Sequence, residues 1–262
     1  MAQRGRPRKT SIKATVKQTP KINLTRMDEL SFDSALFTPL KTNTIVDTIL
    51  STEGGIFPGT NTVVIGDPGV GKSTVLLDWL ANLNNAGKKV LFISGEMNEI
   101  DMFGYVKRFP KFGKLPILFM QSYSDNAQSV IETTLNDGYD VVLIDSWAEV
   151  NDMVQEENGW TRKKAESWLL DLMDKHNKAG NKSKKHTAFI NIQQMTKAGD
   201  FAGSNRIKHM TTSMAMLKFD GRGRDAERFI SFSKNRRGDV GEKIYFSFDA
   251  PTGNVQYNFE QV

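Results

Sequence analysis

Apolar positions along this chain fall into short unbroken runs separated by amphipathic stripes. Thr62-Val63-Val64-Ile65 reads as a buried strand, and Ser73 to about Ala86 carries Val75, Leu76, Leu77, Trp79, Leu80 and Leu83 at helical spacing before Gly87 stops it. Runs of the same strand type follow at 89–93, 116–120, 141–144 and 187–192, with helices expected over 126–136 and 160–178. Strands alternating with helices imply βαβ units and a mostly parallel sheet covered on both faces. After Met214 the pattern changes. Ala215–Phe219, Arg228–Phe232, Lys243–Phe248 and Val255–Phe259 are strands joined by tight loops, so an antiparallel extension is expected at one edge.

Residues 1–26 stand apart from this pattern as a polar arm, and 27–262 form the expected globular domain. The arm holds eight basic residues and no acid before Asp28, and too few large apolar side chains to fold alone. Subtracting those eight from the 35 basic residues leaves 27 cations against 30 anions, so the net charge of +5 belongs to the arm and to local clusters. Within the arm, Arg4-Gly5-Arg6-Pro7-Arg8-Lys9 resembles the AT-hook, whose arginines enter the narrow minor groove of A·T-rich DNA; a basic tail held by phosphates is the plainer reading. Either way DNA is the natural partner of Arg4, Arg6 and Arg8.

Composition excludes several chemistries. With no cysteine there is no disulfide, no thiolate zinc site and no cysteine nucleophile. No run reaches the ~18 apolar residues of a membrane span. A soluble, cytoplasmic and DNA-associated protein is expected.

Gly66-Asp67-Pro68-Gly69-Val70-Gly71-Lys72-Ser73-Thr74 fits G-x-x-x-x-G-K-[ST] between an expected strand and an expected helix. Its glycines let backbone amides face phosphates, while Lys72 reaches the β- and γ-phosphates and Ser73 ligates Mg²⁺. ATP with Mg²⁺ is the cofactor this implies. Asp145 ends the apolar run 141–144, as a Walker B carboxylate does, although such an acid can also cap the following turn. Glu96 ends another strand, where it either polarises water as a general base or is a solvated loop acid.

Several segments together resemble one family, the RadA/Sms branch of RecA-like ATPases, which is close to the DnaB-type helicases. They are Gly54–Gly59, VLFISGE at 90–96, VVLIDS at 141–146, MTKAGDFAG at 195–203, IKHM at 207–210 and KNRRG at 234–238, in the family's order. The resemblance implies an α/β, RecA-like P-loop NTPase with a mostly parallel central sheet and an antiparallel C-terminal extension. It implies that Glu96 activates water, that Asp145 is the Walker B acid and that Gln194 senses the γ-phosphate. DNA loops would span 196–209, with Lys197, Arg206 and Lys208 near a central channel, and also 149–164.

Lys234 and Arg236 lie two apart at a strand end, so they face one side, and the resemblance makes them the cations that complete a neighbour's site. Arg237 faces the other way and stands where the family usually has Phe. The family's four-cysteine zinc finger and Lon-like domain have no counterpart in these 262 residues. The function implied is an ATP-dependent motor or recombination and replication ATPase on single-stranded or branched DNA, working as a homo-oligomer, most simply a hexamer. The alternative is a DNA-binding accessory ATPase that uses ATP only for assembly. Streamlining of this kind suits a bacterial or phage-infected cell.

Overall fold

The structure is a computed structural model that describes residues 24–194, 205–221, 223, 226–249 and 252–259. The chain divides into two compact units, Met1–Phe32 and Asp33–Val262. In the first unit, the described residues carry one 3₁₀ turn, Met27–Glu29, next to an exposed Arg26–Asp28 ion pair.

The second unit contains seven α-helices and nine strands among its described residues. In chain order these are α1 (Asp47–Leu50), β1 (Asn61–Gly66), α2 (Lys72–Asn85), β2 (Val90–Ser94), α3 (Glu99–Arg108), β3 (Ile117–Phe119), α4 (Ala127–Leu135) and β4 (Val141–Asp145). There follow α5 (Trp147–Asn158), α6 (Arg162–Asn177), β5 (Ala188–Ile192), α7 (Asn205–Met210), β6 (Ser213–Asp220), β7 (Glu227–Asn235), β8 (Ile244–Asp249) and β9 (Asn254–Phe259). The strands form one sheet in the order β3-β2-β4-β5-β1-β6-β7-β8-β9.

The apolar runs are strands because both faces of the sheet are covered. Val64, Phe92, Leu143 and Ile190 point into a core with α2 and the C-terminal strands. Val63, Leu91, Ile93, Val142 and Phe189 point the other way, into a core with α4, α5 and α6. The strand alternation therefore feeds two cores at once. On α2 the fully buried carboxylate of Asp78 pairs with Lys111 and accepts from the Tyr257 hydroxyl at 2.9 Å, which ties the helix after the glycine loop to β9.

Two expectations are corrected. β6 pairs parallel with β1, Val64 beside Ala215, so the antiparallel extension is β7, β8 and β9 only. The connection from β5 to β6 includes α7 and is long enough for a parallel crossover, whereas β6 to β7 is a hairpin. The stretch 149–164 is also not a loop. It forms α5 and the start of α6, with Ser146 accepting from the Glu149 amide at one N-terminus and Thr161 accepting from the Lys164 amide at the other. Arg162 and Lys163 begin α6, and the Lys164 ammonium lies 4.2 Å from the centre of the Trp160 ring.

Candidate active site

Four strand ends meet at the carboxyl edge of the sheet, where ligands of open α/β sheets gather. β1 runs into the glycine loop, β2 into Glu96, β4 ends at Asp145, and β5 leads to Gln193 and Gln194. The sheet order β2-β4-β5-β1 makes these ends neighbours, although 128 positions (194 − 66) separate Gly66 from Gln194 in sequence. They line one cleft of about 1040 Å³.

Gly66, Asp67, Pro68, Gly69, Gly71, Lys72, Ser73 and Thr74 all reach that cleft, while Val70 is buried beneath the loop. Gly71 has φ +102°, and a Cβ there would collide with the Phe248 ring, so glycine is required on both counts. Lys72 is folded back on its own loop, its Nζ donating to the carbonyls of Gly66 at 3.0 Å and Asp67 at 3.1 Å. Burial pushes its ammonium pKa down, against the attraction of Asp145, Glu96 and Asp67. A polyphosphate in the cleft would favour the charged form and straighten this side chain toward it.

The Ser73 hydroxyl donates to Asp145 Oδ2 at 2.5 Å. Burial pushes the Asp145 carboxyl up to about 6; the Ser73 bond and the Lys72 charge oppose this, and Glu96 reinforces it. A hydroxyl and a desolvated carboxylate are hard oxygen donors that suit Mg²⁺. No group of three or more His, Cys, Asp or Glu among the described residues could hold a metal alone. Phosphate oxygens and water would supply the rest of a Mg²⁺ shell here, which is how that ion is usually bound.

Glu96 lines the cleft across from the glycine loop, and its carbonyl accepts from Gln121 Nε2 at 3.0 Å. Gln194 is exposed at the rim, whereas Gln193 is buried and lines both this cleft and a small cavity under α7. Sequence reasoning missed Gln193 and one whole wall of the cleft, made by Tyr105, Arg108, Phe109, Arg228 and Phe248. The Arg108 guanidinium lies 4.8 Å from the Tyr105 ring centre and that of Arg228 5.3 Å from the Phe248 ring centre. Such a wall can stack a planar aromatic base without reading its edge. Its parts come from α3 and the residue after it, β7 and β8, which share no motif.

Lys234 and Arg236 do not line this cleft. Both sit on one side of the β7 end and cap α7. The Lys234 Nζ donates to the carbonyls of Lys208 at 2.6 Å and Thr211 at 2.7 Å, and Arg236 Nη2 donates to that of His209 at 3.3 Å. Cations at a helix C-terminus satisfy its free carbonyls and its dipole. Burial, and then the charge of Arg236, push the Lys234 ammonium pKa down. Arg237 faces the other way, 4.8 Å from the Phe57 ring centre. Of the residues expected to meet DNA, Arg206 is bound to Ser167 and Asp171 on α6, and Lys208 is exposed on α7. Lys197, Arg4, Arg6 and Arg8 lie outside the described residues.

No protein-family profile matches the chain. Three quarters of it, 197 residues, is 30% identical to the DNA repair protein RadA of Chlamydia pneumoniae, and 196 residues are 30% identical to the RadA protein of Listeria monocytogenes. The matched region is 41% and 40% of those proteins, so the chain spans about two fifths of the length of these relatives. Among solved structures it is similar to the KaiC-like protein of Pyrococcus horikoshii, with a TM-score of 0.65 at 16% identity, covering 84% of this chain and 99% of that one. The flagellar accessory protein FlaH of Methanocaldococcus jannaschii gives 0.60 at 14% identity, over 85% and 100%. The fold is RecA-like, and the sequence is RadA-like.

Proposed function

We propose that this RadA-like chain hydrolyses ATP with Mg²⁺ and acts on DNA as a homo-oligomer, a six-membered ring on the pattern of its resemblance. The observation that carries the reading is the convergence of Lys72, Ser73, Glu96, Asp145 and Gln194 on one cleft from distant parts of the chain. The name of its relatives, DNA repair protein RadA, supports DNA as the substrate of the work.

In this reading the aromatic and arginine wall holds the base, and the glycine-loop amides with Lys72 hold the phosphates. Ser73 and Asp145 hold Mg²⁺, which supplies charge neutralisation on the phosphate oxygens when bound. Glu96 accepts the proton of the attacking water. Gln194, at the rim of the cleft, would sense the terminal phosphate and pass its state toward the 196–209 segment. Lys234 and Arg236 of another copy stabilise charge on the transferred phosphoryl group; such a cation supplied in trans is worth ~10³–10⁵ in rate. To do so they must leave the carbonyls at the end of α7, which links hydrolysis in one copy to α7 in the next.

That capping contact also favours a second reading, in which ATP serves only to assemble the protein on DNA. The test is the ATPase rate and mass of the full chain with and without single-stranded DNA. A rate raised by DNA, together with a mass above the monomer in ATP and Mg²⁺, is the expected result. An unchanged rate with assembly retained selects the accessory reading, and an unchanged rate with a monomeric mass contradicts both.

A further inference from the structure

The opposite edge of the sheet, at the amino-terminal ends of β2, β4 and β5, gathers five lysines around two aspartates. Lys89 lies just before β2, and its Nζ donates to the carbonyl of Asp137 at 3.0 Å. Lys182 lies 3.5 Å from the carboxylate of the same Asp137, and Lys185 lies 2.5 Å from that of Asp140. The Lys89 amide also donates to Asp140 at 2.7 Å, so these three segments form one continuous surface. Lys88 and Lys184 complete it and form no ion pair among the described residues.

Five lysines thus stand with Asp137 and Asp140, on a chain whose residues after the arm carry more acids than bases. The concentration is local. It flanks a groove of about 400 Å³ lined by Lys88, Lys184 and Lys185, by the acids Asp33 and Asp140, and by apolar Leu36 and Pro58.

We propose that this edge is a contact for the phosphate backbone of a nucleic-acid strand, on the side of the sheet away from the nucleotide cleft. It rests on the reading that the chain acts on DNA. Lysines are point charges without the fork geometry of arginine, so they hold phosphates without reading bases. A strand with one negative charge per nucleotide matches several such charges at once, and the apolar wall accepts its sugars and bases. An acidic protein segment is the rival occupant.

The experiment measures binding of the full chain to a labelled single-stranded oligonucleotide across a salt series, beside the double variant Lys88→Glu/Lys184→Glu. Neither residue lines the cleft, so ATP affinity and DNA-free ATPase should stay unchanged and report an intact fold. Loss of two phosphate contacts should lower the slope of log affinity against log salt by about 1.4, since each contributes ~0.7 on a single strand. Affinity at low salt should fall by about tenfold or more, and Lys88→Arg/Lys184→Arg should restore both. If the reversal disturbs folding, Lys88→Gln/Lys184→Gln must show the same loss of slope.

An unchanged slope and affinity, with the parent chain binding normally, overturns this contact and leaves the proposed function standing. A parent chain that binds no DNA even at low salt overturns the proposed function itself, and this contact with it. Poly-glutamate that binds as tightly as DNA and is lost equally in the variant overturns the nucleic-acid assignment in favour of an acidic protein.

Discussion

The two edges of one sheet use charge in opposite ways. At the carboxyl edge, few groups are buried and each is already committed: Ser73 to Asp145, Lys72 to the carbonyls of its own loop. At the amino edge, many lysines lie in or near water around two aspartates. Moving one phosphoryl group needs a few donors held at fixed places, and burial makes each of them strong. Holding a long polyanion needs charge density, and exact placement matters little. The contrast teaches that positional effects should be large and local at the first edge, small and additive at the second.

The sharpest break of that contrast is Arg236→Ala. Turnover should fall by ~10³–10⁵ while ATP affinity stays within a few fold, as judged by steady-state rates and equilibrium nucleotide binding. Loss of ATP binding in this variant would place Arg236 in its own subunit's cleft. Next comes Lys72→Ala, expected to lower turnover by ~10²–10³, with weaker nucleotide binding as well. A comparable loss from Lys184→Ala at the other edge would erase the distinction.

Titration sharpens the comparison further. The folded pKa of Asp145, about 6, lies above its ordinary value of 3.8, so the folded chain holds this proton more tightly than the unfolded chain does. Stability from this group is present at low pH and is lost as pH rises from about 4 to about 6. Denaturant unfolding without Mg²⁺ should show the parent chain losing on the order of 2 kcal/mol relative to Asp145→Asn across that window. Mg²⁺ with ATP should reverse the loss above pH 6, because binding needs the ionised carboxylate. A constant difference between the two proteins from pH 4 to 7 would contradict the buried, protonated carboxyl.

The smallest effect concerns the wall of the cleft. Phe248→Leu should weaken ATP by about 1 kcal/mol, roughly fivefold in Kd, and leave the affinity for inorganic tripolyphosphate unchanged. Equal losses for both ligands would mean that Phe248 supports the glycine loop and not the base.

What could be read from the sequence follows the same division. Val63, Val64 and Val141–Ile144 announced strands because burial on both faces leaves no polar position to blur the run. The glycine loop was legible because its chemistry is local. Helix α3 was not, since Met102 is its one fully buried side chain and the apolar stripe is too narrow. Helix α5 was hidden by acidic and amide residues on its outer face. The aromatic wall was invisible because Phe109 and Phe248, whose ring centres lie 6.2 Å apart, are 139 positions apart in sequence (248 − 109). For Lys234, Arg236 and Arg237, strand parity gave the correct sides, but nothing in the sequence announced the carbonyls of α7 as partners.

The central claim is that the cleft of one copy is completed by Lys234 and Arg236 of another. It is tested most directly by mixing two inactive variants: Glu96→Gln, which keeps both cations, and Arg236→Ala, which keeps the whole cleft. Turnover in the mixture well above the sum of the two proteins measured separately is the expected result. A mixture no more active than that sum would contradict completion of the site in trans.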